Sequence, residues 1–349
     1  MECPNVTIII LNWNGWEDTI ECLESLYQIE YPNYTVIVAD NGSEDESIPK
    51  IKDYCNGKIK VESNFFSYDP AGKPVNVTEY ELDRIQKIKK CSKTSLASKN
   101  KIILINNNEN YGFAKGNNIA VEYALNFINP DYILLLNNDT VVEKSFLLKL
   151  VETAEEDEKI GIVGPKILKY HDPKIIDSTG HTLKLGRVLD RGHGELDKGQ
   201  YDDQNDILGA IAACSLYKVK MLAEIGLFDE SFFTVYEDAE LSWRAHKNGW
   251  KARYVPESII YHKRGKSINK KSVNSKMVLL QLQNMVKTSQ KYGNSREKLL
   301  FSFVILADTG YIIKERLSGR NNVNIPRYIH IAVVSYFKLI FSALKTALS

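Results

Sequence analysis

Tyr132-Ile133-Leu134-Leu135-Leu136 is a short apolar run that stops at Asn137-Asn138-Asp139-Thr140. Five residues suit a strand buried on both faces; a helix needs about ten or more. The Asn-Asn-Asp then falls at the carboxyl end of that strand, the edge where open α/β sheets bind ligands. A carboxylate held there can coordinate a metal that carries phosphates. The competing reading is an Asx-rich turn that caps the next helix. The rest of the chain has to choose between them.

The pattern recurs. Residues 6–11 read as a buried strand, and residues 16–28 as a helix with Ile20, Leu23, Leu26 and Tyr27 at helical spacing. A second apolar run, 35–39, ends in Asp40-Asn41-Gly42-Ser43, where Ser43 and Glu46 resemble a capping box. Strands are predicted at 58–61 and 101–105, followed by a Gly/Asn-rich turn and a helix over 117–127. This alternation predicts an α/β fold with a doubly wound, mostly parallel sheet. Residues 64–100 are polar and Lys-rich and read as a surface insertion, partly helical around 79–90. Their lysines form a solvated face or touch anionic lipid or phosphate.

After Asp139 the pattern becomes mixed. Helices are predicted at 145–156, 219–225 and 237–248, and a hairpin over 175–189. Strands are predicted at 160–163 and 208–217, and at 252–255 and 259–262 around Pro256. From Lys266 on the chain reads as helical, over 277–291, 299–313 and 328–348. These helices pack on the domain, on a second subunit in a homo-oligomer, or in a membrane interface. No run reaches 18 consecutive apolar residues, so no transmembrane helix is expected.

The formal net charge of +1 gives no basic field of the kind nucleic-acid binders use. Five scattered cysteines with no Cys-x-x-Cys argue against a disulfide framework or structural zinc and fit a reducing, cytoplasmic compartment.

Four pieces can carry chemistry. Asp40 and Asp139 should share one sheet edge, Asp40 accepting hydrogen bonds from a base or sugar and Asp139 holding a divalent metal. Between them, Asn110-Tyr111-Gly112-Phe113-Ala114-Lys115-Gly116-Asn117-Asn118 allows close backbone approach, and the amides of the following helix favour an anion. A tight turn with a helix cap explains it equally well. The segment from Gly226 to Leu241 places Glu237, Asp238 and Glu240 at a helix start among aromatics. Asp238 and Glu240 are two apart and point to different faces, and an Asp in such a cleft can act as a general base. Capping with Phe and Tyr in the core is the alternative. His262 also closes an apolar strand; carboxylate, phosphate oxygens and one imidazole suit Mn2+ or Mg2+.

In this order, the pieces resemble the family-2 inverting glycosyltransferases, in particular the rhamnosyltransferase-like branch. The resemblance runs from Val6 to about Ser267 and rests on residues 6–15, 38–43, 110–118, 137–140, 226–244 and 256–262. It implies a glycosyltransferase-A (GT-A) fold over 1–267, with a C-terminal helical region over 268–349. It implies a UDP- or dTDP-sugar donor, with Asp40 on the nucleobase and Asn12, Gly112, Lys115, Asn117 and Asn137 around the nucleotide. Asp139 would take the metal place of the family's Asp-x-Asp motif, with Asn137 where the first Asp often stands, and His262 would be the second ligand. Asp238 would be the catalytic base, with Glu237 orienting it or the acceptor. The acceptor would be a glycan or lipid-linked saccharide in cell-surface polysaccharide synthesis, with the chain peripheral on the cytoplasmic membrane face. An inactive nucleotide-sugar-binding assembly protein, or a nucleotidyltransferase, remains the alternative at this point.

Overall fold

The computed structural model describes residues 3–82, 101–264, 275–318 and 323–348. Its centre is a mixed, mostly parallel sheet. β1 (Val6–Asn12) and β2 (Tyr34–Asp40) pair in parallel from Val6 opposite Tyr34 to Asn12 opposite Asp40. Nearly every side chain in both strands is buried, as runs of Val and Ile require when helices cover both faces. β3 (Asn76–Glu81), β4 (Lys101–Asn106) and β5 (Tyr132–Leu136) extend this parallel half in the order β5-β1-β2-β4-β3. The helices α1 (Trp16–Leu26), α2 (Ser47–Cys55) and α3 (Gly112–Tyr123) cross between these strands.

The second half enters through β12 (Cys214–Lys218), antiparallel to β5, followed by β7 (Ile160–Lys169), β13 (Lys251–His262) and β11 (Asp206–Ile207). Four short strands complete the edge that matters below: β6 (Thr140–Val142) on β13, β8 (Asp172–Ser178) on β7, and the hairpin of β9 (His181–Lys184) with β10 (Arg187–Asp190). The helices here are α4 (Phe146–Ala154), α5 (Val219–Ile225) and α6 (Glu237–Lys247).

Several sequence expectations need correction. Residues 58–61 are not a strand; the sheet edge is taken by β3, parallel to β4, from within the supposed insertion. β3 is polar and half-exposed, as a sheet edge tolerates, so no apolar run marks it. The remainder of the expected helix at 79–90 lies outside the described residues. Ser43 caps no helix: α2 starts at Ser47, and the Ser43 hydroxyl donates to Asp40 instead. Residues 208–213 are loop, and only Cys214–Lys218 is strand. β13 is one strand, with its register slipping between Val255 and Ile259, where Pro256 has no N–H to give the ladder.

The C-terminal helices are α7 (Ser275–Tyr292), α8 (Ser295–Leu317) and α9 (Ile325–Leu348). They share a core of Leu279, Leu282, Phe301, Ile305, Tyr328 and Leu339, while α7 also packs on α6 and β10. Residues 325–347 are long and apolar enough to cross a membrane by length and composition, and 22% of that stretch is buried. This revises the expectation drawn from uninterrupted runs, which Ser335 and Lys338 had broken.

Candidate active site

At the carboxyl edge of β1 and β2, register places Asn12 beside Asp40. Asp40 is fully buried, and a buried carboxylate needs partners. Asn12 Nδ2 and the Ser43 hydroxyl donate to its Oδ1 at 2.7 and 2.6 Å, and the Ser43 N–H donates to Oδ2 at 2.8 Å. Asn12 Oδ1 in turn accepts from Thr19 and from Asn138 Nδ2. Asp40 therefore shapes the loop at 41–43. Asn138 is the residue that ties the β5 end to this network; Asn137 is half-buried and joins through its backbone, its N–H on Ala213 O and its carbonyl accepting from Thr140. Trp13, next along, is 48% exposed.

The glycine-rich turn behaves differently from a ligand cradle. Gly112 has φ +78°, and a Cβ there would lie 2.3 Å from the Phe233 carbonyl oxygen. That carbonyl accepts from the Phe113 N–H at 2.7 Å, and Asn110 Oδ1 takes the Gly112 N–H. The close approach is thus made by the chain's own 233 loop, which occupies helix-start amides expected to receive an anion. Asn117 is buried with its amide on Phe113 O, and Lys115 lies over the Tyr111 ring at 4.4 Å. Asn118 pins the same loop by bonding both the N–H and the carbonyl of Phe228.

Asp139 and His262 do meet. β6 pairs antiparallel with β13, with Thr140 opposite His262, so the residue before β6 faces the last residue of β13. His262 Nε2 lies 3.1 Å from Asp139 Oδ1, and its Nδ1 lies 2.8 Å from Asp177 Oδ2. Asp177, missed in the sequence, is fully buried in β8 and also bonds Arg264 at 2.9 Å. Burial alone would lower the His262 pKa, but the Asp139 and Asp177 carboxylates outweigh it and raise it to about 9. Burial pushes the carboxyls of Asp139 and Asp177 up, yet their partners hold both below the usual range: chiefly His262 for Asp139, and His193, His262 and Arg264 for Asp177.

Among the described residues no group of three or more His, Cys, Asp or Glu is placed to hold a metal alone. The Asp139–His262 pair fits two of a cation's positions. Donors about 2.1 Å from one ion at right angles stand about 3.0 Å apart, and a carboxylate behind the imidazole, here Asp177, is the usual support of a metal-binding His. The remaining positions would fall to ligand oxygens.

From Arg264 the network continues. Arg264 bonds Asp190 at 2.9 Å; Asp190 lies 3.7 Å from His181 Nε2, which lies 3.9 Å from Asp238 Oδ2. His181 Nδ1 is 3.1 Å from Ser242 Oγ. Asp238, at the start of α6, is aligned by the Ala212 N–H on Oδ2 at 2.9 Å and the Ala239 N–H on Oδ1 at 2.7 Å. Glu240 is structural: buried, it pairs with Arg244, Lys291 and Tyr292. Ahead of α6, Val235 and Tyr236 have φ +70° and +77°. Left-handed backbone at non-glycine residues costs roughly 1–3 kcal/mol each and gathers at functional sites.

Glu237 is buried, and its Oε2 has no hydrogen-bond partner among the described residues. Burial, then the neighbouring Asp238 charge, pushes its pKa from 4.5 up to about 8. A carboxyl raised on folding contributes stability that is full below its unfolded pKa and is lost as pH rises through the folded value. The melting temperature should therefore fall between about pH 4.5 and 8, and Glu237→Gln should flatten that slope. Parallel pH profiles for the two proteins in calorimetry would refute the assignment.

A cavity of about 650 Å³, lined by Asn5, Asp131, Glu155 and Lys218 among others, opens at the opposite, amino end of β1 and β5. It is remote from all the residues above.

The profile described as "Glycosyltransferase like family 2" matches residues 94–277, and that described as "Glycosyl transferase family 2" matches residues 7–65. The chain belongs to glycosyltransferase family 2. Among relatives of this family-2 chain, the low-salt glycan biosynthesis hexosyltransferase Agl10 of Haloferax volcanii is 27% identical over 143 residues, 41% of this chain and 46% of that protein. The poly-beta-1,6-N-acetyl-D-glucosamine synthase of Staphylococcus aureus is 21% identical over 264 residues, 74% of this chain and 50% of that protein. The chain thus spans about half the length of these curated relatives. Solved structures that share its fold include the following two. The mannosyltransferase PcManGT from Pyrobaculum calidifontis, in complex with GDP-Man and Mn2+, has a TM-score of 0.51 at 13% identity, covering 99% of this chain and 74% of that one. GalNAc-T7, with UDP, GalNAc and Mn2+, has a TM-score of 0.54 at 15% identity, covering 82% and 48%. The family-2 chain has the GT-A fold, as its sequence led us to expect.

Proposed function

We propose that residues 1–267 form a catalytic unit that transfers a sugar, with inversion, from a nucleoside-diphosphate donor to a hydroxyl of a glycan or lipid-linked acceptor. The observation that carries this reading is the continuous chain of side chains from Asp139 and His262, through Asp177, Arg264 and Asp190, to His181 and Asp238. It joins a place for a diphosphate-bound cation to a positioned base.

Asp139 and His262 would hold Mn2+ or Mg2+, and such a cation neutralises charge on a departing diphosphate. Asp238 takes the proton of the acceptor hydroxyl as its oxygen bonds to the anomeric carbon from the face opposite the leaving group. The bond from that carbon to the diphosphate breaks, and its electron pair leaves with the phosphate. The exposed Trp13 ring, beside the Asn12–Asp40 pair, offers a face on which a nucleobase can stack. The relatives' names, hexosyltransferase and N-acetylglucosamine synthase, widen the donor choice beyond the rhamnose type.

The test is a thermal-shift screen of UDP-glucose, UDP-N-acetylglucosamine, GDP-mannose and dTDP-rhamnose with Mn2+. A donor at 100 times its Kd stabilises by about 2.7 kcal/mol. No shift with any of them, at millimolar donor, would sink the reading.

We further propose that the C-terminal helices rest on an anionic membrane surface. α9 exposes Ile329, Val333, Phe337, Phe341 and Leu344, opposite its packing seam, and α8 exposes Phe303 and Leu306. α9 carries Arg327, Lys338 and Lys345 with no acidic residue, which opposes self-pairing and suits acidic lipid headgroups. The chain should sediment with phosphatidylglycerol vesicles, and Phe337→Glu with Phe341→Glu should release it. Sedimentation with neither phosphatidylglycerol nor phosphatidylcholine vesicles would reject the surface.

A further inference from the structure

The turn that delivers Asp238 cannot hold itself. Val235 is β-branched, and at φ +70° its Cβ crowds the backbone; Tyr236 follows at φ +77°. Two consecutive residues of this kind persist only where neighbours fix them. One support is local to the catalytic unit: the Tyr236 hydroxyl accepts from the Val188 N–H at 2.6 Å and donates to the Val188 carbonyl at 3.0 Å. The other comes from the C-terminal region. Asn284, 5% exposed on α7, donates through Nδ2 to the Val235 carbonyl at 2.8 Å and to the Thr234 carbonyl at 3.4 Å.

We propose that Asn284 is a positioning residue of the transfer reaction, clamping the left-handed Val235–Tyr236 turn so that Asp238 enters the site. The inference rests on the reading of Asp238 as the base. It is supported by how α7 treats the whole segment. Lys287 pairs with Asp229 at 3.4 Å, Lys291 with Glu240 at 3.1 Å, and Tyr292 bonds Glu240, so one helix brackets the turn on both sides. Those contacts are ion pairs and a hydroxyl bond to the flanks. Asn284 alone among them bonds the carbonyls of the strained residues' own peptide groups. Without its N–H donors the turn loses one of its two supports, and the Tyr236 hydroxyl on Val188 is left to hold the direction in which α6 starts.

The test pairs Asn284→Leu, which keeps bulk but removes the donor, with Asn284→Asp, which keeps shape. Turnover is measured with whichever of the four screened nucleotide sugars binds, in the presence of Mn2+. Both variants should lose tenfold or more in kcat while donor KM stays within twofold. Adding Val235→Gly, which adopts positive φ without strain, should restore most of the kcat of Asn284→Leu. Unchanged kcat in both single variants, or a loss that Val235→Gly does not recover, overturns the proposal. If the parent protein turns over none of the donors, the reading of the site has failed, and the clamp is judged on melting temperatures alone. Asn284→Leu and Val235→Gly must then be non-additive, since residues sharing one contact couple; additive shifts overturn it.

Discussion

Asp238→Asn should lower transfer by about 10²–10⁴-fold, the usual contribution of a general base, while donor binding stays within a few-fold of the parent. That range corresponds to about 2.7–5.5 kcal/mol of activation free energy. The substitution preserves shape and leaves Asp139, His262 and the Asn12–Asp40 edge untouched. What it removes is an oxygen able to take a proton, held by the Ala212 and Ala239 N–H groups. An Asn side chain has one oxygen for those two donors, so one amide loses its partner. A modest fall in melting temperature, equivalent to about 1–3 kcal/mol, should accompany the loss and must be measured beside it. Glu237 cannot take over: it is buried and carries its proton up to about pH 8. Steady-state kinetics with calorimetric donor binding decide the matter, and parent-like kcat would remove Asp238 as the base.

Much of the arrangement was legible because a parallel strand buried on both faces must be apolar until it ends. The runs into Asn12, Asp40 and Asp139 mark one edge, and β1, β2 and β5 do place all three there. Asp177 falls outside that rule: it follows only the pair Ile175-Ile176, in β8, which is antiparallel to β7 and exposed over its first half. β3 was invisible because an edge strand may be polar on both sides. Gly112 signalled a close backbone approach, but composition does not say whose backbone approaches, and it proved to be that of Phe233. Ser43 had two uses, a helix cap or the Asp40 carboxylate, and a buried charge is the stronger claimant. Asn284 carries no motif at all. Its partners are carbonyls about fifty positions away, and only the positive φ of Val235 shows why they need a donor.

Asp139→Asn should abolish divalent-metal dependence, and with it nearly all transfer, if Asp139 and His262 are the protein's two cation ligands. The substitution replaces a charged donor with a neutral one at the same place, so the comparison isolates charge. Manganese binding in the presence of UDP, followed by electron paramagnetic resonance, gives a readout independent of turnover. Asp177→Asn tests the support behind the site without touching a ligand. Asp177 accepts from His262 Nδ1 at 2.8 Å and from Arg264 at 2.9 Å, and so fixes which imidazole nitrogen faces Asp139. Loss of such a carboxylate typically weakens metal binding by about 10–100-fold. The two variants should therefore be ordered, with Asp139→Asn the more damaging, and excess Mn2+ should recover much of the activity of Asp177→Asn but little of Asp139→Asn. A purely structural ion-pair network predicts another pattern: both variants would melt earlier, neither would respond to Mn2+, and the parent would keep full activity in excess chelator. That last result is the simplest to obtain, and it alone would take the cation away from Asp139 and His262.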